Sequence, residues 1–130
     1  MILLTIRTDK PEAEIGLYNA DKRLAYDIWQ AHRQLAETLH GRIESLLKKQ
    51  QLRWNDIGGV VCFQGPGSFT GLRIGITVGN TLAYSYGLPI VATQDPDWIK
   101  AGISRLLKGE SEAQVQPFYG AEAHITPQKK

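Results

Sequence analysis

Three observations along the sequence predict a mixed α/β fold. Residues 1–5, 14–18 and 23–29 are short apolar or alternating segments with turn residues between them, which is typical of a three-stranded antiparallel meander. Apolar residues recur every three or four positions over 32–50, which indicates an amphipathic helix. Residues 58–63 form a largely apolar, valine-containing run, as expected for a strand that is covered on both faces.

The remaining elements follow in a regular order. A glycine-rich loop at 64–68 leads into a second helix that reaches Tyr86, where Gly87 is suited to end it. A strand over 88–92 and a third helix over 98–107 come next. The order βββαβαβα is that of a ribonuclease-H-like core, the lobe from which the actin-like ATPase superfold is built. It predicts a mixed sheet with helices on its faces.

The domain organisation is predicted to be simple. One lobe is expected over 1–108, and a polar linker with a C-terminal tail over 109–130, in which 115–119 are expected to add at most one short strand. The absence of a signal-peptide pattern and of a run long enough to cross a bilayer predicts a cytoplasmic chain with no membrane contact.

The composition excludes several classes of protein. Apolar residues make up 42% and charged residues 22%, which is ordinary for a globular domain. The net charge of +2 is too small for a protein that coats nucleic acid. Cys62 is the only cysteine, so an internal disulfide or a cysteine-based metal cage is excluded, and its apolar neighbours predict a buried, reduced thiol.

Catalytic chemistry is not indicated by the residues at the predicted strand ends. A two-metal nuclease needs carboxylates there, yet 2–7 contain none and the fourth strand ends at the neutral Gln64. The loop lacks the lysine of a phosphate-binding P-loop, and Ser68 lacks the flanking glycines of a hydrolase elbow. His32 and His40 are two helical turns apart, about 12 Å, too far to share one metal. We therefore expect no metal and no cofactor.

The loop before the second helix has two interpretations. It is either a tight turn that needs glycine, with Ser68 or Thr70 capping the helix, or an anion site at the helix N-terminus, where backbone amides are free. The residues of this candidate loop site are Gly65, Gly67, Ser68, Thr70 and Arg73.

A stripe of small residues runs along the second helix at four-residue intervals. Each glycine inside a helix costs about 1 kcal/mol relative to alanine, so close packing must offset the three glycines. The stripe packs either on its own sheet and first helix, or against the backbone of another chain as in small-xxx-small contacts. In the second case Gly75→Leu should abolish complex formation and leave the fold intact. The stripe and its apolar flanks are Gly71, Gly75, Gly79, Ala83, Leu72 and Ile76.

The stretch from Gly65 to Gly75, GPGSFTGLRIG, resembles the signature of the TsaB (YeaZ) family, which serves threonylcarbamoyladenosine biosynthesis in bacterial tRNA. The resemblance covers about residues 1–100 and implies a non-catalytic subunit that pairs with the catalytic subunit TsaD, with the ATPase TsaE in the same complex. The modified base is the adenosine next to the anticodon, and tRNA is expected to be contacted only indirectly. The resemblance implies that the helices over 32–50 and 70–86 form the pairing surface and also permit a homodimer. It places the glycine stripe at this interface, together with His32, Leu35 and Leu39.

The sequence departs from the family pattern at two points, and both affect the function that we expect. Ile6-Arg7-Thr8 replaces the Asp-Thr-Ser-like turn of the family, which argues against nucleotide binding, and the chain lacks the second lobe of typical members. We therefore expect a single-lobe scaffold and not an enzyme. The alternative is a small nucleotide-binding hydrolase of the actin-like superfold that uses the loop from Gly65 to Thr70.

Overall fold

The computed structural model describes residues 1–31 and 34–119, apart from the side chain of Phe69. Its five strands are β1 (Ile2–Arg7), β2 (Glu12–Asn19), β3 (Lys22–Gln30), β4 (Ile57–Phe63) and β5 (Ile90–Thr93). Its α-helices are α1 (Leu35–Lys49), α2 (Phe69–Tyr86) and α3 (Trp98–Leu107), and one turn of 3-10 helix covers Trp54–Asp56. The predicted order is confirmed. The predicted first residue of the first helix, His32, lies outside the described residues.

The sheet has the strand order β3-β2-β1-β4-β5. The first three strands form the predicted antiparallel meander, because the connections between them are too short for parallel crossovers. β4 and β5 lie parallel to β1, each reached through a helix. The carboxyl ends of β1, β4 and β5 therefore meet at one edge of the sheet, where the loop before α2 begins.

Two apolar clusters form the core, one on each face of the sheet. Val60 and Cys62 of β4 belong to the cluster under α1 and α2, whereas Val61 and Phe63 belong to the cluster under α3. This double coverage explains why β4 is apolar along nearly its whole length.

The segment after α3 packs on the free edge of β5. Val115 is 1% exposed, and both its backbone N–H and its carbonyl bond to the side-chain amide of Asn80, each at 3.0 Å. The backbone N–H of Glu112 donates to the carbonyl of Ile90 at 2.8 Å. The short strand expected over 115–119 is absent, because a side chain of α2, and not a neighbouring strand, takes up the backbone groups of Val115.

Candidate functional site

The glycine stripe of α2, formed by Gly71, Gly75 and Gly79, faces the sheet of its own chain. A side chain at Gly71 would collide with the carbonyl of Thr8, and one at Gly75 with the Thr8 hydroxyl. A side chain at Gly79 would collide with the sulfur of Cys62 on β4. The hydroxyl of Thr8 also donates to the carbonyl of Gly71 at 2.7 Å, which ties the end of β1 to the helix. The predicted close approach exists, but within one chain, and the prediction that the stripe meets another molecule is corrected.

The other predicted interface residues also lie inside the domain. Each is at most 8% exposed, so none offers a surface to a second chain. The affected residues are Leu72, Ile76 and Ala83 on α2 and Leu35 and Leu39 on α1. The expectation that Gly75→Leu would spare the fold is corrected for the same reason, since the added side chain would meet Thr8. His32, the remaining predicted interface residue, lies outside the described residues.

The opposite face of α2 is open and almost uncharged. Arg73 is the only charged residue among the 18 of this helix. Thr70, Arg73, Thr77 and Thr81 are exposed along the outward side. Although α2 is apolar, no helix in the described part of the chain has both the length and the apolar character needed to cross a bilayer.

A shallow hollow of about 320 Å³ separates the outward sides of the two helices. Its lining is mainly aliphatic and hydroxyl-bearing, with the guanidinium of Arg73 as its charged member. The lining residues are Ala36 of α1 and Thr70, Arg73, Ile74, Thr77 and Val78 of α2.

Helix α1 contributes one outward glycine. Gly41 is exposed in the middle of the helix, and a side chain built there would meet no atom within 4 Å. Gly41 therefore differs from Gly71, Gly75 and Gly79, whose missing side chains are explained by contacts with the sheet. Nothing within the described part of this chain offsets the cost of Gly41.

The loop before α2 is a tight turn with a capped helix. Gly65 has φ of 121°, a conformation that side chains rarely adopt, and a side chain there would meet the backbone carbonyl of Phe118. The Ser68 hydroxyl accepts a hydrogen bond from the Gly71 backbone N–H at 3.4 Å, so Ser68, and not the alternative Thr70, is the N-cap. Thr70 and Arg73 lie further along, on the exposed side of the helix.

A carboxylate lies against the predicted anion position. Asp9 is 9% exposed, and a side chain at Gly67 would collide with its β-carbon. The Ser68 backbone N–H donates to the Asp9 carbonyl at 3.2 Å. Because Asp9 fills the space beside Gly67 and occupies the Ser68 backbone N–H, this arrangement favours the turn interpretation over the anion site and argues against the nucleotide-hydrolase alternative.

Arg7 neutralises this carboxylate and links two loops. Its guanidinium bonds to Asp9 at 2.8 and 3.1 Å, to Asp95 at 3.2 Å, and lies 3.8 Å from the ring centre of Phe63. Burial opposes the charge of Arg7, but the hydrogen bonds to Asp9 and Asp95 outweigh it and raise the pKa of the guanidinium. The partners of Arg7 were not predicted from the sequence, in which Arg7 stands out only as a departure from a family pattern. The nearby Asp9 and Asp95 were the available signal, but only the sheet order brings them together.

The residues that follow β4 and β5, Gln64 and Gln94, are uncharged and are hydrogen-bonded to each other. The side chain of Gln64 donates to the Gln116 carbonyl and accepts from the Gln94 amide, both at 3.1 Å. These amides stand where a two-metal nuclease needs carboxylates. Within the described residues, no group of three or more His, Cys, Asp or Glu side chains is arranged to hold a metal ion.

Comparisons with known proteins agree with this architecture. The family model described as "TsaD: tRNA N6-adenosine threonylcarbamoyltransferase" matches residues 29–100, more than half of the chain. A tRNA threonylcarbamoyladenosine biosynthesis protein TsaB from Bacillus subtilis is 32% identical over 101 residues, which are 78% of this chain and 44% of that protein. The chain spans about half the length of the curated TsaB relatives it matches.

Solved structures of two proteins are also similar to this chain. YeaZ from Pseudomonas aeruginosa superposes with a TM-score of 0.68 at 26% identity, over 83% of this chain and 50% of the other. RuvC from Thermus thermophilus, solved with a Holliday junction substrate, superposes with a TM-score of 0.54 at 17% identity, over 95% and 87% of the two chains. The RuvC likeness shows the ribonuclease-H-like fold alone. The chain belongs to the family that the TsaD model describes and, within it, to the TsaB (YeaZ) relatives.

Proposed function

We propose that this chain is a non-catalytic partner subunit in threonylcarbamoyladenosine modification of tRNA. In this role it binds and supports a TsaD-like catalytic subunit, with a TsaE-like ATPase in the same complex, and tRNA is reached through the catalytic subunit. The names of the relatives and of the matching family model support the pathway. The neutral strand ends and the Arg7–Asp9 pair support a role other than catalysis.

The observation that carries the partner role is the outward side of α1 and α2. A surface helix normally carries charged residues on its solvent side, yet α2 presents threonines, Ile74 and Val78 around a hollow that residues 1–31 and 34–119 leave open. Such a depletion of charge with apolar centres is typical of the middle of a protein interface. We define the partner face as Ala36, Thr70, Arg73, Ile74, Thr77 and Val78.

Gly41 is a second exposed position on α1, although it is not among the residues that line the hollow. A glycine within an exposed helix costs about 1 kcal/mol relative to alanine, and close approach of a partner helix is one way to offset that cost. The partner face is shared with the proposed homodimer, so a second copy and the catalytic subunit would compete for it.

The test is a pair of matched substitutions on exposed hydroxyl residues of two helices. Thr77→Arg places a charged side chain in the partner face, whereas Ser104→Arg makes the same change on α3, across the sheet. Titration calorimetry against a purified TsaD-like subunit should show binding weakened about tenfold or more for Thr77→Arg, since a buried unpaired charge readily costs more than about 1.4 kcal/mol. Ser104→Arg should bind like the unmodified chain. Equal affinities for the two variants would contradict the proposed face.

A further inference from the structure

Three aromatic rings form a ladder: His40 in the first half of α1, Trp54 in the 3-10 turn and Tyr86 at the C-terminal end of α2. The rings of His40 and Trp54 lie 4.7 Å apart at 17°, and those of Trp54 and Tyr86 lie 6.3 Å apart at 10°. The pair in the core behaves differently, since Phe63 and Trp98 meet edge to face at 73°. The ladder is therefore a near-parallel stack of three planar groups.

The ladder lies at the surface, beside a hollow of about 330 Å³. His40 is exposed, Tyr86 is 41% exposed, and Trp54 is half-buried between them. Leu47 and Leu52 give the hollow an apolar lining next to the rings of Trp54 and Tyr86. A flat, partly apolar group could enter this hollow and extend the contact with the rings.

The charged residues that line the hollow indicate which chemical groups a ligand would carry. Lys48 and Arg53 both line it, and in the described part of the chain neither side chain is held in a salt bridge. Their charges suit a phosphate next to the flat group. Glu44 is the single carboxylate among the lining residues, and it suits an amino group on the edge of the ring.

The orientation of the rings distinguishes between two kinds of aromatic site. A quaternary ammonium ion is usually held by rings that surround it on several sides. The ladder is instead parallel within 10–17°, and because Trp54 already lies between two rings, a flat group would extend the stack at Tyr86, which lines the hollow. Stacking on one ring is how unstacked nucleobases bind to proteins.

We propose that the hollow between Trp54, Tyr86, Lys48 and Arg53 binds an unstacked, amino-bearing nucleobase together with its phosphate. A single-stranded stretch of RNA or a free nucleotide could supply this chemistry. At this site the chain would contact the nucleotide directly. The proposed partner role does not require such a contact, so the two proposals can be tested separately.

The test uses a single-stranded adenosine nonamer of RNA and adenosine monophosphate as the two ligands. Binding is followed by fluorescence anisotropy of the labelled nonamer and by quenching of tryptophan fluorescence. Quenching reports on Trp54, because Trp29 and Trp98 are only 7% and 6% exposed. Tyr86→Ala removes one ring of the ladder, Tyr86→Phe keeps it, and Tyr84→Ala removes a 90% exposed tyrosine of the same helix that lies outside the ladder.

We expect Tyr86→Ala to weaken binding about fivefold to a hundredfold, the usual effect of losing one stacking ring. Tyr86→Phe and Tyr84→Ala should bind within about twofold of the unmodified chain. Tighter binding of the nonamer supports RNA as the source, and equal binding of the monophosphate supports a free nucleotide at the same site. No saturable binding of either ligand, or equal losses in Tyr86→Ala and Tyr84→Ala, would overturn the proposal.

Discussion

At the scale of single residues, the helix glycines of this chain serve two different purposes. Gly71, Gly75 and Gly79 let α2 lie against Thr8 and Cys62, whereas Gly41 borders open space. The two kinds should respond in opposite ways to the addition of one methyl group.

Gly75→Ala should destabilise the fold by about 1–3 kcal/mol, because the new methyl group would overlap the Thr8 side chain. Adding Thr8→Ala to that variant should recover part of the loss, even though Thr8→Ala also removes the hydrogen bond to Gly71. Urea unfolding of the two single variants and the double variant measures the coupling between the positions. Losses that simply add would show that the two side chains do not meet.

Cys62 should make stability depend on alkaline pH. Burial, and next the negative charge of Glu112, raise the pKa of its thiol from 9.0 to about 12. A raised pKa stabilises the fold fully while the unfolded thiol is protonated, so this contribution is lost as the pH rises from about 9 towards 12. Unfolding free energies measured from pH 8 to 10.5 should fall more steeply for the unmodified chain than for Cys62→Ala. Identical slopes would contradict a buried, neutral thiol.

At the scale of elements, α1 and α2 each have an inner side that completes the core and an outer side that the described residues leave exposed. The amphipathic spacing of α1 predicted its buried residues, because one apolar stripe can face only one way. The spacing in α2 did not, since small and apolar residues occur on more than one side of that helix. The side facing the sheet is decided by Thr8 and Cys62, which are distant in sequence.

Gly41→Ala should stabilise the isolated chain by about 0.5–1 kcal/mol, because alanine is the better helix former and its methyl group meets nothing within 4 Å. The melting temperature should rise by a few degrees. Gly75→Ala is the matched control, since the same change at a packed helix glycine should lower the melting temperature. A lower melting temperature for Gly41→Ala would mean that α1 is not formed as described.

At the scale of the whole molecule, the sequence predicted the element order, the meander and the parallel crossovers, since local periodicity and connection lengths determine them. It did not predict which surface is open, because that depends on contacts between distant segments. Asn80 is an example. It lies on α2, which was predicted to face a partner, yet its side-chain amide bonds to the backbone of Val115 in the segment predicted to be a linker. Arg7 at the end of β1 likewise meets Asp95, which is 88 residues further along the chain.

We propose that the partner binds the outer side of α1 and α2, and not the glycine stripe. This proposal is tested most directly by cysteine footprinting with Thr77→Cys and Ser104→Cys, in a chain whose own Cys62 is buried. The rate of thiol labelling is measured with and without a TsaD-like subunit. We expect the subunit to slow labelling at position 77 by about tenfold or more at saturation and to leave position 104 unchanged. Unchanged labelling at position 77, or protection at position 104 alone, would contradict the claim.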